Sequence, residues 1–222
     1  MALTASDIMT RARERYNAVG DDFFSDQMLR SLIFSAQEEL AKEGWVIEKT
    51  YTTTSVADTR ELTFPTNTLA IKEVKYDYKK LKKYTLAEDP KTDATETTGT
   101  PFGYALWDNV VFLYPTPDTS GDTIQIRTYA YPADLTQNTS AVDVPDEYKD
   151  DLINFLLSHM ALKDQNINLA SYYQNLWRET VMKASEQRRK MLRADRPARV
   201  RDEYFGSDPT NYYEGFWDGF TL

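Results

Sequence analysis

SDQMLRSLIFSAQEELAKEGWVIEKTYTTT, residues 25 to 54, carries two periodicities that meet at one point. Up to Gly44 the apolar residues Leu29, Leu32, Ile33, Ala36 and Leu40 recur at intervals of three and four, the spacing of a single helix face. Ser25 stands where an N-cap belongs, and Phe24 before it is placed to close on Leu29 as a hydrophobic staple. Gly44 sits at the position of a C-terminal cap. From Trp45 onward, β-branched and aromatic residues alternate with polar ones, the period of a strand. A helix therefore delivers the chain directly into a sheet.

Toward the N-terminus, Leu3 to Val19 places Ala5, Ile8, Met9, Ala12, Tyr16 and Val19 at helical spacing, with Thr4 or Ser6 as cap and Asp7 in the first turn. Gly20-Asp21-Asp22 breaks this first helix from the second. Toward the C-terminus, strands are expected over Trp45 to Thr54, Glu61 to Phe64, Leu69 to Asp77, Lys80 to Thr85, Tyr104 to Trp107, Asn109 to Tyr114 and Thr123 to Tyr131. Ile124, Ile126, Thr128 and Ala130 share one face of the last strand, while Val110 to Tyr114 is apolar on both faces and belongs in the middle of a sheet. Ala87 to Thr100, nearly devoid of apolar side chains, reads as an exposed, mobile loop.

Pro145, followed by Asp146 and Glu147, opens a third helix marked by Tyr148, Leu152, Phe155, Leu156 and His159. Asn166 and Asn168 interrupt it. A fourth helix runs from about Leu169 to Arg193, with Leu169, Tyr172, Tyr173, Leu176, Thr180, Ala184, Gln187 and Met191 on its stripe. The fold class that follows is α+β: a four-helix core of two N-terminal and two C-terminal helices, an inserted antiparallel β domain, and an extended C-terminal tail. In residues, the division is 1–44, 45–131, 132–195 and 196–222.

Composition narrows the function classes. The 222 residues, 41% hydrophobic, suffice for one large or two small cored domains. With no cysteine and one histidine, His159, the chain cannot supply thiolate zinc sites, cysteine nucleophiles or poly-histidine metal cages. No phosphate-binding glycine loop, nucleophile elbow or dinucleotide fingerprint occurs. Neither metal, cofactor nor catalysis is expected, and His159, near an apolar stripe, reads as a partly buried structural residue. The acidic pairs Asp21-Asp22 and Asp150-Asp151 read as surface charge, because adjacent carboxylates on a helix point apart. Asn138-Thr139-Ser140 matches a glycosylation sequon by chance. No apolar run is long enough to cross a membrane, and the N-terminus lacks the order of a signal peptide, so a soluble protein made in the cytoplasm is expected.

The net charge of -9 disfavours general nucleic-acid affinity, yet the charge is unevenly distributed. Arg178 to Arg201 carries nine Lys and Arg against three acids, whereas Asp202 to Leu222 has five acids and no base; residues 1 to 177 total -10. Arg188, Arg189, Lys190, Arg193, Arg196, Arg199 and Arg201 form a charged face that calls for an acidic partner. Lys79, Lys80, Lys82 and Lys83, interleaved with Tyr76, Tyr78 and Tyr84, form a basic hairpin suited to edge protection, to an acidic subunit or to single-stranded nucleic acid. Trp107, Tyr104 and Tyr114 would suit a carbohydrate-stacking platform. The tail concentrates Tyr204, Phe205, Tyr212, Tyr213, Phe216, Trp217 and Phe220 without helical or alternating period. The entropy of ordering it roughly offsets the burial of its rings, which points to a segment that orders on a partner, with folding back on its own subunit as the other reading.

Four stretches, in order, resemble one family: the helix Asp26 to Gly44 with its Trp45 exit, Gly99-Thr100-Pro101-Phe102-Gly103-Tyr104, Val111-Phe112-Leu113-Tyr114-Pro115-Thr116-Pro117-Asp118, and Val144-Pro145-Asp146-Glu147-Tyr148. Together they span roughly residues 1 to 195, and the chain resembles the head-to-tail adaptors of tailed bacteriophages. The resemblance implies a virion structural protein of the neck, assembled in the host bacterial cytoplasm as a dodecameric ring. Its partners would be copies of itself, the portal protein, a tail or nozzle protein, and double-stranded DNA in transit, with no membrane. The aromatic tail would contact the portal or a neighbouring copy.

Overall fold

The computed structural model describes residues 3–84 and 98–194. The chain divides into two units, Met1–Arg189 and Lys190–Leu222, and the end of the last helix belongs to the second. The loop expected over Ala87 to Thr100 falls almost wholly outside the described residues, and so does the aromatic tail.

The element order is α+β throughout. Helices α1 (Ala5–Tyr16) and α2 (Asp26–Gly44) precede strands β1 (Glu48–Thr54), β2 (Glu61–Thr63), β3 (Thr68–Tyr76), β4 (Lys79–Lys80), β5 (Lys82–Lys83), β6 (Gly103–Trp107), β7 (Val110–Tyr114) and β8 (Thr123–Ala130). A single 3-10 turn, Asp146–Tyr148, then leads into α3 (Lys149–Lys163) and α4 (Ile167–Ala194). Thr4 caps α1 in a full capping box with Asp7, and Ser25 accepts from the Met28 amide at the start of α2. Phe24 and Leu29 are both buried, as a staple requires. Pro145 begins the 3-10 turn rather than α3 itself, and Asn166 caps α4 by accepting from the Leu169 amide, which places Asn168 inside the helix.

The end of α2 corrects the reading of Gly44. The left-handed cap is Trp45, with φ of 55°, and Gly44 is the last helical residue. Its missing side chain serves packing: a Cβ there would lie 2.6 Å from the Cβ of Ala184 on α4. The α4 stripe is also rotated from the expected one. Ala170, Trp177, Thr180 and Ala184 are buried, while Tyr172 and Met191 are exposed. Trp177 packs edge-on against Phe155 of α3, and its indole donates to Glu39 of α2 at 2.8 Å.

The strands form two four-stranded sheets, ordered β1-β8-β3-β4 and β2-β7-β6-β5. Val110 to Tyr114 is interior to its sheet, as its two-sided apolarity requires. Among the described strands every pairing is antiparallel except β5 with β6, and an isolated parallel bridge joins Thr98 to Thr116. The sheets meet face to face: Val74, Tyr76, Ile124 and Ile126 from one enclose a core with Tyr104, Val111 and Leu113 from the other. A second, larger core joins the helices and takes in Ile47 and Ala130. Strand β8 thus reaches both cores, Ile124 and Ile126 in one and Ala130 in the other.

Polar side chains tie the helices to the connection before α3. Gln37, fully buried, accepts from the Asp143 amide at 2.8 Å. Asp26 accepts from Arg13 and from Asn138, each at 2.6 Å, and Asn138 also accepts from Arg30. The sequon asparagine is therefore a structural connector between α2 and the strand-to-helix link. Hydrogen bonds from Arg13 and then Asn138 hold the Asp26 carboxyl below its ordinary pKa of 3.8. Tyr16 is pushed up to about 12 by burial and by its hydrogen bond to Asp164.

Two outcomes check this packing. Gly44→Ala is expected to destabilise the chain by about 1–3 kcal/mol in urea unfolding, through overpacking against Ala184; adding Ala184→Gly should recover part of the loss. For Asp26 the folded pKa is depressed, so its stabilisation is complete above the ordinary carboxylate value and is lost as pH falls below it. Asp26→Asn should therefore flatten the acid limb of stability against pH below about pH 4.

Candidate assembly interface

Among the described residues, each charged or aromatic group singled out in the sequence has a place determined by the element that carries it. On α4, Arg188 follows Ala184 by one turn and so faces α2. Its guanidinium donates to the carbonyl of Lys42 at 2.9 Å and reaches that of Glu43 at 3.5 Å, two of the acceptors left open at the end of α2. The same group lies 4.3 Å from the ring centroid of Trp45, which stacks in turn on Tyr129 of β8 at 5.0 Å. Arg188 thus belongs to the fold, and this corrects its assignment to the charged face. Arg189 and Lys190 are exposed. The side chains of Arg193, Arg196, Arg199 and Arg201 lie outside the described residues.

The lysine-rich segment is not one hairpin strand. Asp77 and Tyr78, both at positive φ, turn β3 into β4 in the manner of a two-residue hairpin loop. Leu81 then turns inward, 3% exposed, and Lys82–Lys83 pairs with β6 in the other sheet. Lys79, Lys80, Lys82 and Lys83 are all exposed along the corner where the chain passes between sheets. The three tyrosines go separate ways. Tyr76 is buried with its hydroxyl donating to Asp122 at 2.7 Å, Tyr78 projects at the hairpin tip, and Tyr84 lies over Gly103, where any Cβ would collide with its ring.

The expected stacking platform is also divided. Tyr104 is buried between the sheets, whereas Trp107 and Tyr114 lie on the opposite, outward face. The Asp108-Asn109 turn, again with both residues at positive φ, brings Trp107 opposite Val110. The same register sets Ala105 opposite Phe112 and Gly103 opposite Tyr114. Phe102 packs edge-on against Tyr114 at 5.1 Å, and Arg60 lies over Phe112 at 5.7 Å. Trp107 is 65% and Phe102 55% exposed. This outward aromatic face escaped the sequence reading, although the period-two placement of Phe112 and Tyr114 against Val111 and Leu113 carried its signal.

The remaining candidates take structural places. His159 is half-buried against Phe155, at 4.5 Å between ring centroids, and burial lowers its pKa. Asp150 pairs with Arg15 at 2.6 Å and Asp151 accepts from Thr180 at 2.6 Å. Asp21 accepts from the Phe23 amide in its turn. Among the described residues no cluster of three or more potential ligand side chains occurs that would hold a metal ion, and no helix is long and apolar enough to cross a membrane.

With this geometry in place, comparison with known families finds that a family model described as SU10 adaptor protein matches residues 3–201. No curated protein matches the chain.

Neighbouring arginines should differ in what they contribute to folding. Arg188→Met should cost about 1–3 kcal/mol in urea unfolding followed by tryptophan fluorescence, through the lost carbonyl bonds and ring contact. Arg189→Met should leave stability within about 0.5 kcal/mol of the parent.

Proposed function

The chain belongs to the SU10 adaptor protein family, and from that premise we propose that it assembles as a dodecameric ring between the portal and the tail of a tailed bacteriophage. In this reading the ring extends the DNA channel, offers the docking face for a tail or nozzle protein, and has a structural rather than catalytic role. The match over residues 3–201, which spans the helices and both sheets alike, is the observation that carries the proposal. The balance of -10 over residues 1 to 177 suits a channel through which DNA slides without adhering. The virion neck is the place of action, after assembly in the host cytoplasm.

Two segments serve as contacts. The basic run from Arg189 through Lys190, Arg193, Arg196 and Arg199 to Arg201 meets an acidic surface on the portal or on the neighbouring copy. The aromatic tail, with Tyr212, Tyr213, Phe216 and Trp217 foremost, fills pockets on one of the same two partners. Its aromatic side chains are of the type that dominates interface energetics once desolvated.

Light scattering of the chain alone and with portal rings tests both. Assembly should weaken from low to high salt, because charge pairs at a rim are screened. Removal of residues 202–222 should leave the circular dichroism of the helices and sheets unchanged while abolishing stable attachment to the ring or portal. Salt-indifferent assembly, or undiminished attachment of the shortened chain, would contradict the assignment.

A further inference from the structure

The outward face of the β2-β7-β6-β5 sheet is built like a receptor for a particular chemistry. Trp107, Phe112, Tyr114 and Phe102 follow one another along it, with Val110 beside Trp107. Tyr84 extends the row over Gly103, and Lys82 lies 5.0 Å from its ring. Cations line this row. Arg60 lies over Phe112, and Lys79, Lys80, Lys82 and Lys83 stand exposed at the corner beside β5. Among the described residues, Glu61, opposite Phe112, and Asp108 in the turn are acids along it. Trp107 and Phe102 are exposed along it, with Phe112, Tyr114 and Tyr84 half-buried, and exposed aromatic area of this kind commonly marks a site of association.

We propose that this face receives the acidic aromatic segment Asp202–Leu222 of a second copy of the chain. Charge and composition single out that occupant. The segment holds five acids, no base and seven aromatics, the complement of a face of aromatics bordered by lysine and arginine. Rings from the segment stack or sit edge-on against Trp107, Phe102 and Tyr114, while its carboxylates meet the lysine corner. Reach is sufficient. The 28 residues from 195 to 222 span up to about 90 Å when extended, more than the width of a small domain. A receptor face on one copy and a donor segment on the next form a head-to-tail contact, the kind that closes into rings. The inference rests on the reading that copies of this chain assemble, and it commits the tail to the neighbour rather than to the portal.

The absence of cysteine from the sequence makes the contact directly addressable. Two full-length variants are mixed under mild oxidant, one with Thr63→Cys on the face and one with Gly215→Cys in the tail. The products are resolved on non-reducing gels and identified by mass spectrometry. The expected result is a disulfide joining the two different chains. Adding Trp107→Ala and Lys82→Glu to the face variant should diminish it by about tenfold, with light scattering reporting assembly in the same samples. Thr52→Cys, on the other sheet, provides the background level. Cross-linking no greater than that background in samples that do form rings would overturn the inference and leave the ring reading standing. Samples that never assemble, with or without portal, would remove the ring reading and the inference together. Displacement of the cross-link by single-stranded oligothymidylate, with the same dependence on Trp107 and Lys82, would reassign the face to nucleic acid and overturn the inference.

Discussion

The left-handed cap at Trp45 is the constraint on which the rest of the first unit depends. A large residue at positive φ is strained, and it persists where its surroundings hold it. Here the indole is held between Tyr129 of the sheet and Arg188 of the last helix, while the Trp45 amide still donates to Ala41. One residue earlier, Gly44 lets α4 approach to the point where a methyl group would clash with Ala184. Within two positions the chain ends a helix, admits another against it, and turns toward the strand whose partner bears the stacking tyrosine.

That junction explains how residues far apart in sequence become one scaffold. Strand β8 anchors the sandwich to the helices because its buried residues belong to both cores. Helix α4 passes Trp45 at Arg188, whose carbonyl and ring contacts lie next to the first residues of the proposed charged face. Function of the proposed kind needs this rigidity. A ring subunit has to present its contact surfaces at one angle, and a junction held by stacked rings and carbonyl-capping hydrogen bonds leaves little slack.

Much of the fold was legible from periodicity. The helices and most strands stand where apolar spacing placed them, because each has a face whose burial outweighs competing preferences. What escaped were features determined by close approach between distant segments. Gly44 looked like a cap because glycine commonly is one, and only the position of Ala184 gives it another task. The α4 stripe was misaligned by giving weight to Leu176 over Trp177, whose indole needed Glu39 as partner before its burial made sense. Lys80 to Thr85 read as one strand because nothing local indicates that Leu81 passes from one sheet to the other. For the proposed interface, composition singled out the charged and aromatic segments, but not that Arg188 makes contacts inside the fold or that Trp107 and Tyr114 share an outward face without Tyr104. The Gln37 contact with the Asp143 amide was unreadable for the same reason, since a polar residue on an apolar stripe declares its partner only in three dimensions.

The most direct measurement of the central claim is electron cryomicroscopy of intact virions at a resolution that separates helices from sheets. The account predicts a closed ring beneath the portal into which the four helices and the two facing sheets fit once per subunit, with twelve copies around the DNA axis. Absence of this fold from the neck, or its presence as capsid decoration or tail fibre, would contradict it.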